Sequence, residues 1–287
     1  MTINTVRTKH ELGAIVARAR QAGKTIGLVP TMGALHDGHL SLVREAKKNC
    51  DVVCVTLFVN PTQFGPGEDY SAYPRDEEKD KTLLQSVGAD LLYGPSVDEM
   101  YPDGTAATIS VGKLGSVLDG KFRPGHFDGV ATVVARLFAH AAPDKAFFGE
   151  KDYQQLLVIK QMVAQQKIPV EIIGVATVRE NDGLALSSRN AYLSDDERKI
   201  APLLYQTLAA TAQKFVDGTP AHELIVPAEQ KLINAGFASV DYIALVDGGT
   251  LEPLEAFSPT AHRPARILGA AKLGRARLID NLAVMPR

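Results

Sequence analysis

Apolar residues in the first two thirds of the chain occur in two patterns that alternate along the sequence. Short continuous apolar runs predict strands, and apolar positions three to four residues apart predict amphipathic helices. The first helix is predicted to begin after Thr8 and to run to Gly23, because Thr8 and Glu11 match the sequence of a capping box. Strands are expected at about 25–30, 52–59, 89–93, 145–148 and 171–178, and the helices between them at about 38–48, 76–87, 127–140 and 153–166. This alternation is typical of an α/β fold with a parallel sheet, so residues 1–178 are predicted to form a Rossmann-like domain.

The pattern changes after Asn190. A second capping-box sequence, Ser194 to Glu197, predicts a helix that continues to about residue 215, and another helix is expected at about 222–235. Three strand-like runs follow at 240–246, 265–271 and 276–280. Residues 179–287 are therefore predicted to form a smaller C-terminal α+β domain, which we expect to act as a lid over the first domain.

Composition places the chain among ordinary globular proteins. Of its 287 residues, 45% are hydrophobic and 22% are charged, and no apolar run approaches the roughly 20 residues of a membrane span. The N-terminus lacks the apolar centre of a secretory signal, so the cytoplasm is expected. Cys50 and Cys54 are separated by about 13 Å if they share a strand, which predicts free thiols.

The charge balance disfavours nucleic acid as a partner. Lys and Arg number 31 against 33 Asp and Glu, the formal net charge is −2, and no predicted element carries a basic stripe. Neither nucleic acid nor a membrane is therefore expected to be a partner.

Two histidines flank a glycine directly after the predicted strand at 25–30, in His36-Asp37-Gly38-His39. A turn from strand to helix lies at the carboxyl edge of a parallel sheet, where the amide groups of the helix N-terminus attract anions. His36 and His39 can both face one phosphate and donate hydrogen bonds to it, and Gly38 leaves room for the ligand. Half of a metal site and two surface histidines are the alternatives, but no Cys or Glu stands nearby at a metal-ligand spacing. The segment therefore predicts a site for a nucleoside triphosphate.

Two further segments follow predicted strands and are expected at the same sheet edge. Gln63, after the strand at 52–59, carries an amide that suits a carboxylate or hydroxyl of a small substrate, and a Pro/Gly turn with an exposed Gln is the alternative. Lys151 and Asp152, after the strand at 145–148, suit phosphate oxygens and a ribose hydroxyl or metal ion, with Gln155 one turn further on. Ordinary surface charges at a helix N-terminus are the alternative here.

Two polar loops complete the candidates. Ser187-Ser188-Arg189 suits a phosphate clamp on a mobile segment, and a capped turn with Asn190 in a left-handed conformation is the structural alternative. Arg123 and His126, in a Gly-rich loop before the helix at 127–140, suit attraction of an anionic substrate, and a loop that only fixes the entry of the helix is equally compatible with the sequence.

Five sequence blocks now stand in order: PTMGALHDGH, FVNPTQF followed by YPR, RPGHF, FGEKDYQQ and LSSRN. Over nearly its full length the chain closely resembles the pantothenate synthetase (pantoate–β-alanine ligase) family. The HxGH block alone occurs across many nucleotidyl transferases and class I aminoacyl-tRNA synthetases, whereas its combination with GEKDYQQ and SSRN is specific.

The resemblance implies a two-step, ATP-dependent reaction in coenzyme A biosynthesis. Pantoate attacks the α-phosphate of ATP to form pantoyl adenylate and pyrophosphate, and β-alanine then displaces AMP to give pantothenate. Catalytic roles are implied for His39 as general acid, for His36 in binding phosphates, and for Lys151 and Arg189 on the phosphates. Gln63 would bind pantoate and lie near β-alanine, and Gln155 would bind pantoate. The implied ATP-binding residues are Met32, Gly33, Ala34, Leu35, His36, Asp37, Gly38, His39, Gly149, Glu150, Lys151, Asp152, Val178, Leu186, Ser187, Ser188 and Arg189.

The resemblance also carries expectations about cofactor and assembly. Mg²⁺ is implied by the ATP chemistry, but phosphates and water often hold most of its coordination sites, so no protein ligand is named. A homodimer is implied by the family alone. The family often has Met at the position of Leu186, and the similar volume of the two side chains predicts that nucleotide stacking is retained.

Two other functions use the same motifs. A nucleotidyl transferase would release its adenylylated product, and a regulatory protein would bind the nucleotide without turnover. Gln63 and Gln155 beside a full set of phosphate donors favour the ligase, since a sensor has no need of them.

Overall fold

The computed structural model describes residues 3–65, 70–258 and 264–285. The chain divides into two compact units, the first made of Met1–Ser116, Arg123–Glu150 and Gln155–Ala176, and the second of Val117–Phe122, Lys151–Gln154 and Thr177–Arg287. The strands are β1 (Asn4–Val6), β2 (Ile26–Thr31), β3 (Val52–Leu57), β4 (Leu91–Tyr93), β5 (Lys145–Gly149), β6 (Glu171–Val175), β7 (Ser239–Asp247), β8 (Ala265–Leu273) and β9 (Ala276–Val284). The helices are α1 (Lys9–Gln21), α2 (Asp37–Asn49), α3 (Glu77–Ser86), α4 (Val97–Met100), α5 (Asp119–Phe122), α6 (His126–Ala141), α7 (Tyr153–Gln166), α8 (Asp195–Ile200), α9 (Leu203–Val216) and α10 (Ala221–Asn234).

The first unit contains a parallel sheet with the strand order β1-β4-β3-β2-β5-β6. Strands β2 and β3 pair over their whole length, from Ile26 opposite Val52 to Thr31 opposite Leu57. Val29, Val53 and Phe147 in the central strands are fully buried, as expected for a sheet covered on both faces. The predicted α/β fold with a parallel sheet is confirmed.

Strand β1 is an addition that the apolar pattern did not predict. It pairs with β4 from Asn4 opposite Leu91 to Val6 opposite Tyr93 and lies at one edge of the sheet. Three residues are too few for a periodic signal, and only Val6 of the three is apolar.

The second unit contains an antiparallel sheet with the order β7-β8-β9, packed against apolar residues of α9 and α10. The predicted long helix is wrong in one respect. The capping box of Ser194 and Glu197 is present, but α8 ends at Ile200 and α9 begins after Pro202, because proline has no N–H to continue the helical hydrogen bonds.

Two ion-pair clusters hold the second unit together. Arg179 makes a bidentate contact with the buried carboxylate of Asp280, at 2.6 and 2.8 Å, and its guanidinium lies over the ring of Tyr205. Arg277 contacts Asp119 at 2.6 Å and Asp241 at 2.7 Å, which joins the short segment 117–122 to the sheet.

Both cysteines are buried and free, as predicted. Burial raises the pKa of the Cys54 thiol to about 12 and also raises the pKa of Cys50. None of the helices in the described ranges is long and apolar enough to cross a membrane.

Candidate functional site

The turn between β2 and α2 has a backbone that few residues adopt. Gly33 has a φ of +88° and Ala34 has a φ of +52°, and Leu35 behind them is buried. The turn delivers the chain to His36, the N-cap residue of α2, beside the first amide groups of that helix. The predicted order of strand, tight turn and helix is therefore present.

The two histidines of this turn cap the helix together. His36 Nδ1 accepts a hydrogen bond from the Gly38 N–H at 3.1 Å, and His39 Nδ1 accepts one from the His36 N–H at 3.4 Å. The ring centroids lie 4.1 Å apart. Because a neutral imidazole that accepts at Nδ1 carries its proton on Nε2, both rings present Nε2–H as a hydrogen-bond donor. This arrangement suits binding of phosphate oxygens.

A buried carboxylate that the sequence interpretation missed holds the same turn. Asp80 of α3 accepts hydrogen bonds from the Ala34 N–H at 3.0 Å and the Leu35 N–H at 2.8 Å, and only 3% of the residue is exposed. A Cβ atom on Gly33 would lie 3.1 Å from Asp80 Oδ2, so glycine lets the carboxylate approach this closely. Burial raises the pKa of Asp80, and the two backbone hydrogen bonds lower it by less. The available signal was the spacing of Asp80 and Leu84, which puts a carboxylate on the apolar side of the helix.

Gln63 lies beside this turn, as its place after β3 predicts. It ends a single 3₁₀ turn, Pro61–Gln63, and its Nε2 atom is 2.9 Å from the sulfur of Met32. Asn60 donates to Gln63 Oε1 at 3.2 Å and is itself 1% exposed, with Tyr101 donating to its Oδ1 at 2.7 Å. Asn60 thus orients the Gln63 amide, a role that sequence reasoning did not assign to it.

The loop with Arg123 and His126 contacts the 3₁₀ turn that carries Gln63. His126 Nδ1 lies 2.7 Å from the backbone oxygen of Gln63, and Arg123 donates to that oxygen at 3.3 Å. The two side chains also contact each other, at 2.9 Å between Arg123 Nη1 and His126 Nε2. His126 begins α6 after Gly125, whose φ is +79°.

The segment 149–155 is divided between the two units. Gly149 ends β5, and Glu150 follows it in the first unit. Gln155 is half-buried in α7, also in the first unit. Lys151 and Asp152 belong to the second unit, with 3.8 Å between the Lys151 ammonium and the Asp152 carboxylate.

The backbone of Lys151 has an anchor that the sequence interpretation missed. Asn281 of β9 donates to the Lys151 carbonyl at 2.9 Å, and Arg266 of β8 donates to Asn281 Oδ1 at 2.7 Å. The guanidinium of Arg266 lies 3.5 Å from the centre of the Tyr153 ring, and Tyr153 donates to the Gly248 carbonyl at 2.6 Å. Strands β8 and β9 thereby fix the start of the 151–154 segment.

Residues 178–186 form a short hairpin in the second unit, and a 3₁₀ helix follows it. Leu186 N–H donates to the Val178 carbonyl at 3.0 Å, so the hairpin brings together two residues of the implied nucleotide pocket. Ser187 caps a 3₁₀ helix, Ser188–Tyr192, by accepting from the Arg189 N–H at 3.3 Å. The sequence left open a capped turn with Asn190 in a left-handed conformation. The cap is present, but Asn190 lies inside this 3₁₀ helix and not in a left-handed conformation.

The described residues hold no cluster of three or more His, Cys, Asp or Glu side chains that could bind a metal ion. The histidine pair is engaged with the helix N-terminus through both Nδ1 atoms. That geometry favours the phosphate interpretation of the pair over the metal one.

A parallel sheet whose strand β2 leads into a helix capped by two histidines is typical of α/β nucleotide-binding proteins. The family model for pantoate-beta-alanine ligase matches residues 4–283. Relatives named pantothenate synthetase are 50% identical over 283 residues in Hyphomonas neptunium, covering 98% of this chain and 97% of that protein, and 52% identical over 279 residues in Sphingopyxis alaskensis, covering 97% and 99%. The chain belongs to the pantoate–β-alanine ligase family.

Solved structures agree with this placement. The Thermus thermophilus pantothenate synthetase superposes with a TM-score of 0.91 at 50% identity, covering 99% of this chain and 100% of that one. The Francisella tularensis pantoate-beta-alanine ligase, complexed with beta-gamma ATP and beta-alanine, has a TM-score of 0.82 at 35% identity, covering 98% and 97%.

Proposed function

We propose that this ligase joins pantoate to β-alanine at the expense of ATP. In the first step a carboxylate oxygen of pantoate attacks the α-phosphorus, the bond to the β-phosphate oxygen breaks, and pyrophosphate leaves. In the second step the β-alanine amine attacks the acyl carbon of pantoyl adenylate, AMP leaves with the bonding electrons, and the nitrogen loses its proton as the amide forms.

The observation that carries this proposal is the contact between Gln63 and Met32 beside the histidine pair. In this contact the neutral amide of Gln63 lies next to the turn that carries His36 and His39, which supports the proposal that Gln63 binds a carboxylate. A neutral amide can orient a carboxylate without a fixed positive charge that would reduce its nucleophilicity. The 35% identical Francisella tularensis enzyme was solved in complex with beta-gamma ATP and beta-alanine, which supports ATP and β-alanine as the substrates proposed here.

The roles proposed for the residues rest on the resemblance, and the geometry of the histidine pair supports two of them. His39 is proposed as general acid, as the resemblance implies, and His36 as a phosphate ligand, and the Nε2–H of each ring suits a hydrogen bond to a phosphate oxygen. Lys151 and Arg189 are proposed to bind the phosphates, and Gln155 to bind pantoate. The nucleotide is proposed to contact the turn from Met32 to His39, the segment from Gly149 to Asp152, Val178 and the run from Leu186 to Arg189.

Four further properties are proposals, of which Mg²⁺ and the homodimer rest on the family resemblance and the other two on the sequence pattern. Mg²⁺ would arrive with the ATP phosphates, since the described residues form no metal cluster, and no step of the reaction is assigned to it. A homodimer, a cytoplasmic location and the role of residues 179–287 as a lid stay predictions.

The test is exchange of labelled pyrophosphate into ATP. We expect exchange that requires pantoate, and AMP release with pantothenate formation only after β-alanine is added. A reaction without pantoate and one without β-alanine serve as controls. A product that keeps its adenylyl group would indicate a nucleotidyl transferase, and ATP binding with no exchange would indicate a regulatory protein; either would contradict the proposal.

A further inference from the structure

The RPGHF block of the sequence contacts the chain around Gln63. We propose that Arg123 and His126 are positioning residues, which hold the backbone of Gln63 so that its side-chain amide is presented to the substrate. This inference rests on the proposed function, in which Gln63 binds pantoate and lies near β-alanine. It differs from the sequence expectation that Arg123 and His126 attract an anion themselves.

The hydrogen-bonding roles of His126 are set by its two partners. The Gln63 carbonyl can only accept, so His126 Nδ1, 2.7 Å away, must carry a proton. A guanidinium can only donate, so His126 Nε2, 2.9 Å from Arg123 Nη1, must accept. The neutral Nδ1–H tautomer satisfies both demands at once. Arg123 thus fixes the tautomer of His126 and adds its own donor to the Gln63 carbonyl at 3.3 Å.

The turn that carries Gln63 is weak by itself. The backbone hydrogen bond that closes the 3₁₀ turn Pro61–Gln63, from the Phe64 N–H to the Pro61 carbonyl, is long at 3.4 Å. Contacts from outside the turn therefore decide where the Gln63 carbonyl and side chain lie.

Helix α6 supplies these outside contacts over its first turns. A Cβ atom on Gly129 would lie 2.3 Å from the Thr62 carbonyl oxygen, so the turn approaches the helix more closely than any side chain would permit. Asn60 donates to the Gly129 carbonyl at 3.2 Å and to Gln63 Oε1 at the same distance. His126 contacts the Gln63 backbone, and Asn60 contacts its side chain. His126 belongs to α6 and Asn60 is bonded to it through Gly129, so both contacts are anchored to the same helix.

The experiment replaces the His126 imidazole with a ring of similar size that cannot form hydrogen bonds. His126→Phe removes the Nδ1 donor, and His126→Asn keeps an N–H donor on a shorter side chain. We expect His126→Phe to raise the KM for pantoate about 2- to 10-fold in the exchange assay, the range for loss of one hydrogen bond, with the KM for ATP changed by less than about 2-fold. His126→Asn should recover most of the pantoate affinity.

A matched control lies on the same helix. His140, near the end of α6, makes one hydrogen bond to Tyr93 at 2.8 Å, so His140→Phe removes a comparable contact away from Gln63. Thermal unfolding is measured for both variants. An unchanged pantoate KM in His126→Phe, or an equal rise in His140→Phe, would overturn the inference. A wild-type protein without pantoate-dependent exchange would instead refute the proposed function, and the inference with it.

Arg123→Gln tests whether the guanidinium acts through His126. If it does, the losses in pantoate affinity of Arg123→Gln and His126→Phe should be less than multiplicative in the double variant. A fully multiplicative loss would mean that Arg123 meets the substrate independently, which would overturn its assignment as a positioning residue.

Discussion

At the N-terminus of α2, two imidazoles stand where a hydroxyl and a carboxylate usually form the capping box. The substitution has a chemical reason. A carboxylate at His39 would repel a phosphate, whereas an imidazole satisfies the backbone N–H through Nδ1 and keeps a donor on Nε2. One side chain can thus stabilise the helix end and still offer a hydrogen-bond donor to the anion that it is proposed to bind.

His39→Ala is expected to lower turnover by ~10²–10⁴, because a proton donor and charge stabiliser is lost. The measurement is the single-turnover rate of pantoyl adenylate formation. His10→Ala, on an exposed position of α1, is the matched control and should keep the wild-type rate. An undiminished rate in His39→Ala would refute the general-acid assignment.

From the sequence one could predict which candidate site residues follow which strand, and therefore which of them lie at the same edge of the sheet. His36, His39 and Gln63 each follow a central strand, and their closeness follows from the parallel topology. The supports Asp80 and Asn60 could not be found that way, because their roles depend on which backbone groups fold against them. A polar residue is recognisable as a support only when its burial and its partner are known.

Most predicted helices and strands are present within a few residues of their predicted bounds, and the errors concern the ends of elements and one break. Helix α7 begins and ends at the predicted residues, 153 and 166, since its apolar positions repeat over several turns. Strand β6 stops at Val175, three residues before the predicted end, and Pro202 divides the helix expected after Ser194. Termini and breaks depend on single residues and neighbouring strands, which periodicity does not register.

Arg7, directly after the edge strand β1, forms an ion pair with Glu77 of α3. This pair makes the free energy of unfolding depend on pH. Arg7 holds the pKa of Glu77 at about 2, below the ordinary value of 4.5. Because the folded-state pKa is lowered, the pair stabilises the fold above about pH 4.5, and this contribution is lost as pH falls towards 2.

Glu77→Gln should therefore lower the free energy of unfolding at pH 7 by less than about 1 kcal/mol, since both side chains are partly exposed. Urea unfolding at pH 7 and at pH 4 should show a smaller difference from wild type at the lower pH. Glu78→Gln, a more exposed neighbour on the same helix, is the control. A difference that grows as pH falls would contradict the assignment.

The ion pair of Arg179 with Asp280 on β9 is expected to contribute strongly to stability. Asp280→Ala leaves a guanidinium that is 17% exposed without its carboxylate, so the free energy of unfolding should fall by about 3–5 kcal/mol. Adding Arg179→Met should recover part of the loss, because the unpaired charge is removed. Chemical unfolding of the three variants tests this, and a double variant no more stable than Asp280→Ala would count against it.

The division of the chain into two units could not be predicted from the pattern of apolar residues alone. Residues 117–122 and 151–154 belong to the second unit although their chain neighbours belong to the first. Gln154 shows the cause, since its buried side chain donates to the Val117 carbonyl and accepts from the Asp119 N–H. Such contacts link residues more than 30 positions apart, and no local period encodes them.

Binding of ATP should stabilise the whole molecule by mass action. At an ATP concentration about 100 times its Kd, the free energy of unfolding should rise by about 2.7 kcal/mol, which a thermal-shift series can follow. Lys151→Met should show a smaller rise at the same ATP concentration, because a phosphate ligand is missing. A thermal shift that does not depend on ATP concentration would contradict nucleotide binding.

The burial of both thiols makes the chain a convenient background for site-specific labelling. Cys54 is fully buried with a pKa of about 12, and Cys50 is 8% exposed, so maleimide dyes should react slowly with either in the folded protein. Glu78→Cys in the first unit and Val226→Cys in the second would each introduce a reactive thiol at an exposed position. A donor and an acceptor dye on that pair would report the distance between the units by energy transfer, with and without nucleotide, without removal of a native cysteine.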